Sequence, residues 1–116
     1  MKESIIEKKS FDFALKVIEL YKKLISQNEY VLSKQLLRSG TSIGANVVEA
    51  SAAQTKKDFI TKMSIASKEA RETKYCLTLL SESKLIEYNF NEYLNDINEL
   101  IKILTSIVKR SQEGKK

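Results

Sequence analysis

No proline occurs in this chain of 116 residues, and glycine occurs only three times. Proline and glycine are the strongest helix breakers, so few positions in the sequence force a turn. Apolar residues recur at three- and four-residue spacing over nearly the whole chain, which is the period of an α-helix that buries one side. The sequence therefore predicts an all-α fold, and the length predicts a single domain over residues 1–116.

Four periodic segments define the predicted helices, at about residues 10–26, 30–53, 56–83 and 90–111, with a frayed tail at 112–116. Ser10, Thr55 and Asn89 are expected to cap the first, third and fourth helices, because a side-chain oxygen there can accept a hydrogen bond from the first turn. The connections are short, which favours antiparallel neighbours and an up-down-up-down four-helix bundle.

The middle of the second helix leaves two interpretations open. Gly40 and Gly44 lower its helix propensity, so a loop from Ser39 to Gly44 is one alternative. A continuous helix is the preferred interpretation, because the seven-residue spacing of Leu36 and Ile43 stays in phase across this segment. In that helix the two glycines would allow a neighbouring helix to pack closely.

The first helix carries two neighbouring apolar stripes, which is more than one partner helix requires. They consist of Phe11, Ala14, Leu15, Ile18, Tyr21 and Ile25 on one side and of Phe13, Val17, Leu20 and Leu24 on the other. A monomer would leave one stripe in water, and large exposed apolar patches usually mark interfaces. We therefore expect the chain to form a homo-oligomer.

The composition excludes several classes of function. The chain has no histidine, which rules out a histidine-based catalytic triad, a histidine general base and a mixed Cys/His zinc site. Its single cysteine cannot close an intramolecular disulfide, and no apolar run approaches the roughly 20 residues of a membrane span. We expect a cytoplasmic protein that is not an enzyme, with no cofactor, metal, membrane or small-molecule substrate.

The charge is uneven, since the third helix and the tail are basic and the fourth helix is acidic, within a net charge of +5. Basic side chains clustered on one face bind phosphate groups through counterion release. The alternative is an ordinary solvated face, because Glu69 and Glu72 interrupt the basic residues. The candidate nucleic-acid-binding residues are Lys56, Lys57, Lys62, Lys68, Arg71, Lys74, Lys109 and Arg110, with Lys115 and Lys116 in the tail.

Five polar residues follow one stripe of the second helix: Gln35, Arg38, Ser42, Asn46 and Glu49. The preferred interpretation is a polar seam at a helix or subunit interface, in which Arg38 pairs with a carboxylate such as Glu49 of another chain. Buried polar groups of this kind can fix register and oligomeric state. The alternative is a strip that contacts RNA, with Arg38 on a phosphate group.

The same segment resembles the 23S ribosomal RNA intervening-sequence protein family. The residues that match its signature are Gln35, Leu36, Arg38, Ser42, Ile43, Asn46 and Glu49, followed by Lys57 and Phe59 of a K-x-F motif. The resemblance covers about residues 11–108. Ala50 stands where the family usually has glycine, which leaves open any role that needs a close backbone approach there.

The resemblance implies a left-handed up-down bundle that assembles as a ring-shaped homopentamer. It also implies a bacterial protein whose genes lie within ribosomal RNA intervening sequences or stand alone, and RNA is the ligand that this gene location suggests. A related fold serves as an accessory protein to a reverse transcriptase. Two hypotheses follow: an oligomeric protein that binds structured RNA through a basic helical surface, or an assembly protein whose ring binds another protein.

Overall fold

The computed structural model describes residues 4–114, and within that range it contains four α-helices and no strand. They are α1 (Ile5–Ser26), α2 (Leu32–Ser51), α3 (Lys56–Ser83) and α4 (Asn91–Glu113). Each helix packs on the next along the chain, and α4 returns to α1 through a thinner contact. The resulting bundle measures 49 × 24 × 21 Å. The predicted all-α fold is confirmed.

The first helix begins five residues earlier than the sequence pattern predicted. Ser4 Oγ accepts a hydrogen bond from Glu7 N, and Glu7 Oε1 accepts one from Ser4 N, so the two residues satisfy each other's backbone donors. Ser10 is buried inside α1 and donates to Glu7 O. The predicted cap at Ser10 is wrong, because the helix has already begun at Ile5, so Ser10 lies within it rather than before its first turn.

The third helix has the predicted bounds, because its cap is the one expected. Thr55 Oγ1 accepts from Asp58 N at 3.0 Å, and the helix ends at Ser83, before Lys84, whose backbone is left-handed with φ of 53°. Asn89 Oδ1 accepts from Asn91 N at the start of α4. The predicted bounds of α2 and α4 differ from those observed by one or two residues.

The second helix begins on a buried carboxylate that the sequence pattern did not reveal. Glu29 accepts backbone hydrogen bonds from Val31, Leu32 and Ser33, at 3.1, 2.9 and 2.6 Å. Three of the four unpaired N–H groups expected at a helix start are thereby satisfied by one side chain. The helix then continues through Ser39–Gly44, so the continuous interpretation is confirmed and the loop alternative is wrong.

The second apolar stripe of α1 is the one that faces the core. Phe13, Val17, Leu20 and Leu24 are buried in a single cluster with apolar residues of the other three helices. The other stripe remains outside, where Phe11, Leu15 and Ile18 are 61%, 50% and 36% exposed. We call these three residues the α1 apolar face.

Candidate nucleic-acid interface

Five of the predicted phosphate-binding residues share one exposed side of α3. Lys56, Lys57, Lys68, Arg71 and Lys74 fall within roughly a third of the helix circumference at about 3.6 residues per turn. Within residues 4–114, none of the five takes part in a salt bridge. We call this surface the α3 basic face.

The acidic residues that interrupt this region in sequence do not interrupt it in space. Glu69 and Glu72 turn toward α2, where both contact the guanidinium of Arg38. Lys62 also turns that way, and its Nζ lies 2.7 Å from Glu49 Oε1. Lys62 was predicted to join the phosphate-binding set, but the structure places it on the α2 side of α3, away from the α3 basic face.

A cleft of about 250 Å³ opens between α3 and α4 beside the α3 basic face. Arg71 belongs to both, and its Nη2 donates to Thr105 Oγ1 of α4 at 3.1 Å. Lys109 lines the opposite wall. The other lining residues are Ser64, Ser67, Val108 and Gln112. We call this space the α3–α4 cleft.

The end of α4 brings further positive charge to the start of α3. The two helices are antiparallel, and a Cβ added at Gly114 would lie 3.0 Å from Lys56 Nζ. Lys109 and Arg110 are exposed in the last turns of α4, at this same end of the bundle. Seven of the eight candidates therefore lie on the α3 basic face or at the adjoining end of α4, whereas Lys115 and Lys116 lie outside the described residues.

The acidic residues of α4 are matched by α1 rather than by α3. Lys16 Nζ lies 2.5 Å from both Glu92 Oε2 and Asp96 Oδ2, and Lys9 Nζ lies 3.1 Å from Glu99 Oε2. Burial lowers the pKa of Lys16, but its hydrogen bonds to the two carboxylates outweigh this, and the pKa is raised overall. The acidic charge of α4 thus pairs with cations on the α1 side, away from α3.

The polar stripe of α2 lies along its boundary with α3. The hydrogen bond from Arg38 to Glu72 is the main cause of a raised pKa for the guanidinium. Ser42 Oγ donates to Arg38 O, and Asn46 Nδ2 donates to Ser42 O, so both side chains bond to their own helix. Gln35 is exposed. Arg38 therefore has carboxylate partners within its own chain, and pairing with Glu49 of another chain stays a prediction.

The remaining reactive side chain, Cys76, is not activated. Burial is the main cause that raises the pKa of its thiol to about 11, and nearby carboxylates add to the effect. A thiol is a weak nucleophile when its thiolate is disfavoured in this way. Among residues 4–114, no group of three potential ligands could hold a metal ion, and no helix is long and apolar enough to cross a membrane.

Sequence reasoning missed the neutral residues of the α3–α4 cleft. Ser64 and Ser67 precede Arg71 by seven and four residues, which puts them on the same side of α3. Thr105, Lys109 and Gln112 have the matching spacing on α4. This shared period was a visible signal, but only the pairing of the two helices shows that the sets face each other.

These features define the class of this chain: an all-α, four-helix bundle protein with one basic face and one exposed apolar face. Comparison with family models matches residues 2–106 to the 23S rRNA-intervening sequence protein family. The chain belongs to this family, which confirms the resemblance found in the sequence.

A solved structure supports the same assignment. The chain is 47% identical to a protein of unknown function from the S23 ribosomal protein family of Bacteroides thetaiotaomicron VPI-5482, with a TM-score of 0.84. The match covers 90% of this chain and 99% of that chain. No curated protein matches the chain.

Proposed function

We propose that this protein is a non-enzymatic RNA-binding protein that holds structured ribosomal RNA on the α3 basic face. The observation that carries the proposal is the set of five exposed cations on one side of α3 that have no carboxylate partner within residues 4–114. Four of the five lysines on α1, in contrast, are paired with acids. Unpaired cations on one face are what phosphate binding by counterion release requires.

The family supplies the second argument, because its name ties its members to intervening sequences of 23S ribosomal RNA. A ligand of this kind carries one negative charge on each phosphate group, which suits a surface that reads charge and shape rather than sequence. A function on ribosomal RNA would place the protein in the cytoplasm. It would also need no cofactor and no catalytic group.

The proposal includes a homo-oligomer, namely a ring-shaped pentamer of left-handed bundles. The α1 apolar face supports this part, because burial of Phe11, Leu15 and Ile18 between copies would remove their exposed area from water. Each chain carries a net charge of +5, so a ring would concentrate positive potential on one particle. The multiplied charge would strengthen the attraction for RNA at low salt.

The test is fluorescence anisotropy with a labelled, structured 23S ribosomal RNA fragment, at salt concentrations from about 50 to 200 mM. The oligomer is first verified by light scattering. We expect affinity to fall steeply as salt rises, and the Lys57→Gln/Lys68→Gln variant to reduce the salt slope by roughly 1 to 2. Lys22→Gln/Lys34→Gln removes the same charge from other helices and should bind like the wild type. Absence of binding at low salt by an intact oligomer would overturn the proposal.

A second candidate function is an assembly protein whose ring binds another protein, such as a reverse transcriptase. The observation that favours it is exposed apolar area beyond α1, since Val48 of α2 is also exposed and lines a groove with Phe11. An apolar protein interface depends weakly on salt, whereas phosphate contacts depend on it strongly. The salt dependence of binding to an identified partner therefore distinguishes the two functions.

A further inference from the structure

The α3–α4 cleft is an open groove on the surface of the bundle, and most of its lining residues are polar. Here Val108 is the only apolar residue of the lining, and the other six residues carry hydroxyl, amide or cationic groups. The volume of about 250 Å³ is well above the roughly 10 to 15 Å³ that a site for a single water requires. A tetrahedral oxyanion with its remaining hydration therefore fits.

The two helices place their charges on opposite walls of this cleft. Arg71 faces Thr105, as their hydrogen bond shows. Because the helices are antiparallel, one turn back along α3 corresponds to one turn forward along α4, which sets Ser67 opposite Lys109. At each of these two levels, a cation on one helix faces a hydroxyl on the other. A phosphate group between them would meet positive charge and a donor on both sides.

No carboxylate among the lining residues neutralises the positive charge of the cleft. None of its lining residues is acidic, and no salt bridge within residues 4–114 involves Arg71 or Lys109. The bond to Thr105 holds one N–H of the Arg71 guanidinium in place and leaves its other N–H groups for an anion. A guanidinium held in this way loses less side-chain freedom when it binds a phosphate group.

We infer that the α3–α4 cleft is a pocket for one backbone phosphate group of the bound RNA, an inference that rests on the proposed function. The α3 basic face attracts the RNA strand through diffuse charge, and the cleft at its edge fixes one phosphate group. Arg71 and Lys109 contact the non-bridging oxygens, and Ser67 and Gln112 donate the neutral hydrogen bonds. The cleft would therefore set the position of the strand on the bundle.

The decisive variant fills the cleft without changing its charge. Ser67→Leu places an apolar side chain between Arg71 and Lys109, and we expect it to weaken RNA binding about tenfold, the loss expected for hydrogen bonds to a charged group. Ser26→Leu makes the same substitution at an exposed serine at the end of α1, away from the α3 basic face, and should leave the affinity unchanged. Arg71→Gln is the second variant, because an exposed residue can be changed without unfolding the bundle. Circular dichroism verifies the fold of each variant.

The outcomes separate this inference from the proposed function. If the wild type binds no RNA, both fall. If the wild type binds RNA and Ser67→Leu binds as tightly as Ser26→Leu, with Arg71→Gln no weaker than Lys57→Gln, the cleft assignment alone is overturned. Inorganic phosphate should displace RNA only at millimolar concentration, and more strongly than chloride at equal ionic strength. Saturation of the cleft by micromolar inorganic phosphate would assign it to a free anion and overturn its assignment to RNA.

Discussion

The hydroxyl of Thr73 lies 2.9 Å from the hydroxyl of Ser39, and both residues are fully buried between α3 and α2. Thr73 Oγ1 also lies 2.8 Å from Glu69 O, so its one proton has two acceptors in reach. Neither residue is accessible to water, and a buried hydroxyl without a partner destabilises the folded state. This pair therefore favours one register of α2 against α3.

Thr73→Val keeps the side-chain shape and removes the hydroxyl. We expect it to lower the free energy of unfolding by about 1 to 2 kcal/mol, because Ser39 loses its buried partner. Urea denaturation of Thr73→Val, Ser39→Ala and the double variant measures the coupling. The double variant should lose less than the sum of the single variants. Strict additivity would show that the two hydroxyls do not interact.

The two glycines of α2 should respond in opposite directions to alanine. A Cβ at Gly40 would lie 2.9 Å from Val17 Cγ2 of α1, so Gly40→Ala forces these helices apart and should cost about 1 to 3 kcal/mol. A Cβ at Gly44 would meet Ser10 atoms no closer than 3.5 Å. Gly44→Ala should therefore stabilise the fold by up to about 1 kcal/mol through helix propensity. Thermal melts of the purified variants measure both changes.

The clash at Gly40 provides its own control. Val17→Ala shortens the side chain that the new Cβ would strike, so the Val17→Ala/Gly40→Ala variant should be more stable than the sum of the two single effects predicts. Val17 is buried in the core, and its loss alone leaves a small cavity. If the double variant is no more stable than this sum predicts, the contact with Val17 is not the cause of the loss in Gly40→Ala.

Periodicity predicted the helices well, because every helix has a continuous apolar side and turns are few. The start of α3 was predicted correctly from a local signal, the cap at Thr55. The start of α1 was predicted wrongly because Ser4 and Glu7 form a complete reciprocal cap upstream of the first aromatic residue. The cap of α2 by Glu29 was missed. In the sequence, an acidic residue that caps a helix looks the same as an acidic residue that only faces solvent.

The candidate site was predictable in composition but not in arrangement. The sequence identified the basic residues of α3 and α4, and helix geometry alone grouped five of them. Whether Glu69 and Glu72 would neutralise that face depended on Arg38, which lies 31 and 34 residues earlier in the chain. The position of Lys62 away from the α3 basic face likewise depends on which helices are neighbours. So does the meeting of Arg71 and Lys109 in the α3–α4 cleft.

Arg38 provides a test of the polar stripe. Its guanidinium is half exposed and pairs with Glu69 and Glu72 in the same chain, so Arg38→Ala should cost at most about 1 kcal/mol, as is usual for exposed ion pairs. We expect RNA affinity to change by less than the change seen for Lys57→Gln/Lys68→Gln. Light scattering and anisotropy on the same sample measure both properties. A large loss of RNA affinity in an intact oligomer would support a direct contact of Arg38 with phosphate.

Cys76 and Tyr93 should make the fold less stable at alkaline pH. Burial is the main cause that raises the pKa of Cys76 from 9.0 to about 11 and that of Tyr93 from 10.0 to about 12. The unfolded chain therefore releases these protons first, and by linkage the stabilisation is complete below pH 9 and declines above it until the folded groups ionise. The urea midpoint of the wild type should be lower at pH 10 than at pH 8. The difference should be smaller for Cys76→Ala. Rapid labelling of the native thiol at pH 8 would contradict this interpretation.

The α1 apolar face should hold the oligomer together without being needed for the fold. Leu15 is half exposed, so Leu15→Lys leaves the core intact, and its ammonium lies within reach of Asp12 and Glu19 on the same helix. In a ring that buries this face, however, the charge would enter an apolar contact and dissociate the subunits. Light scattering should show a smaller particle with an unchanged circular dichroism spectrum. Val31→Lys changes an even more exposed apolar residue, just before α2, and should leave the particle mass unchanged. A wild-type protein that is monomeric at every concentration would contradict the pentamer outright.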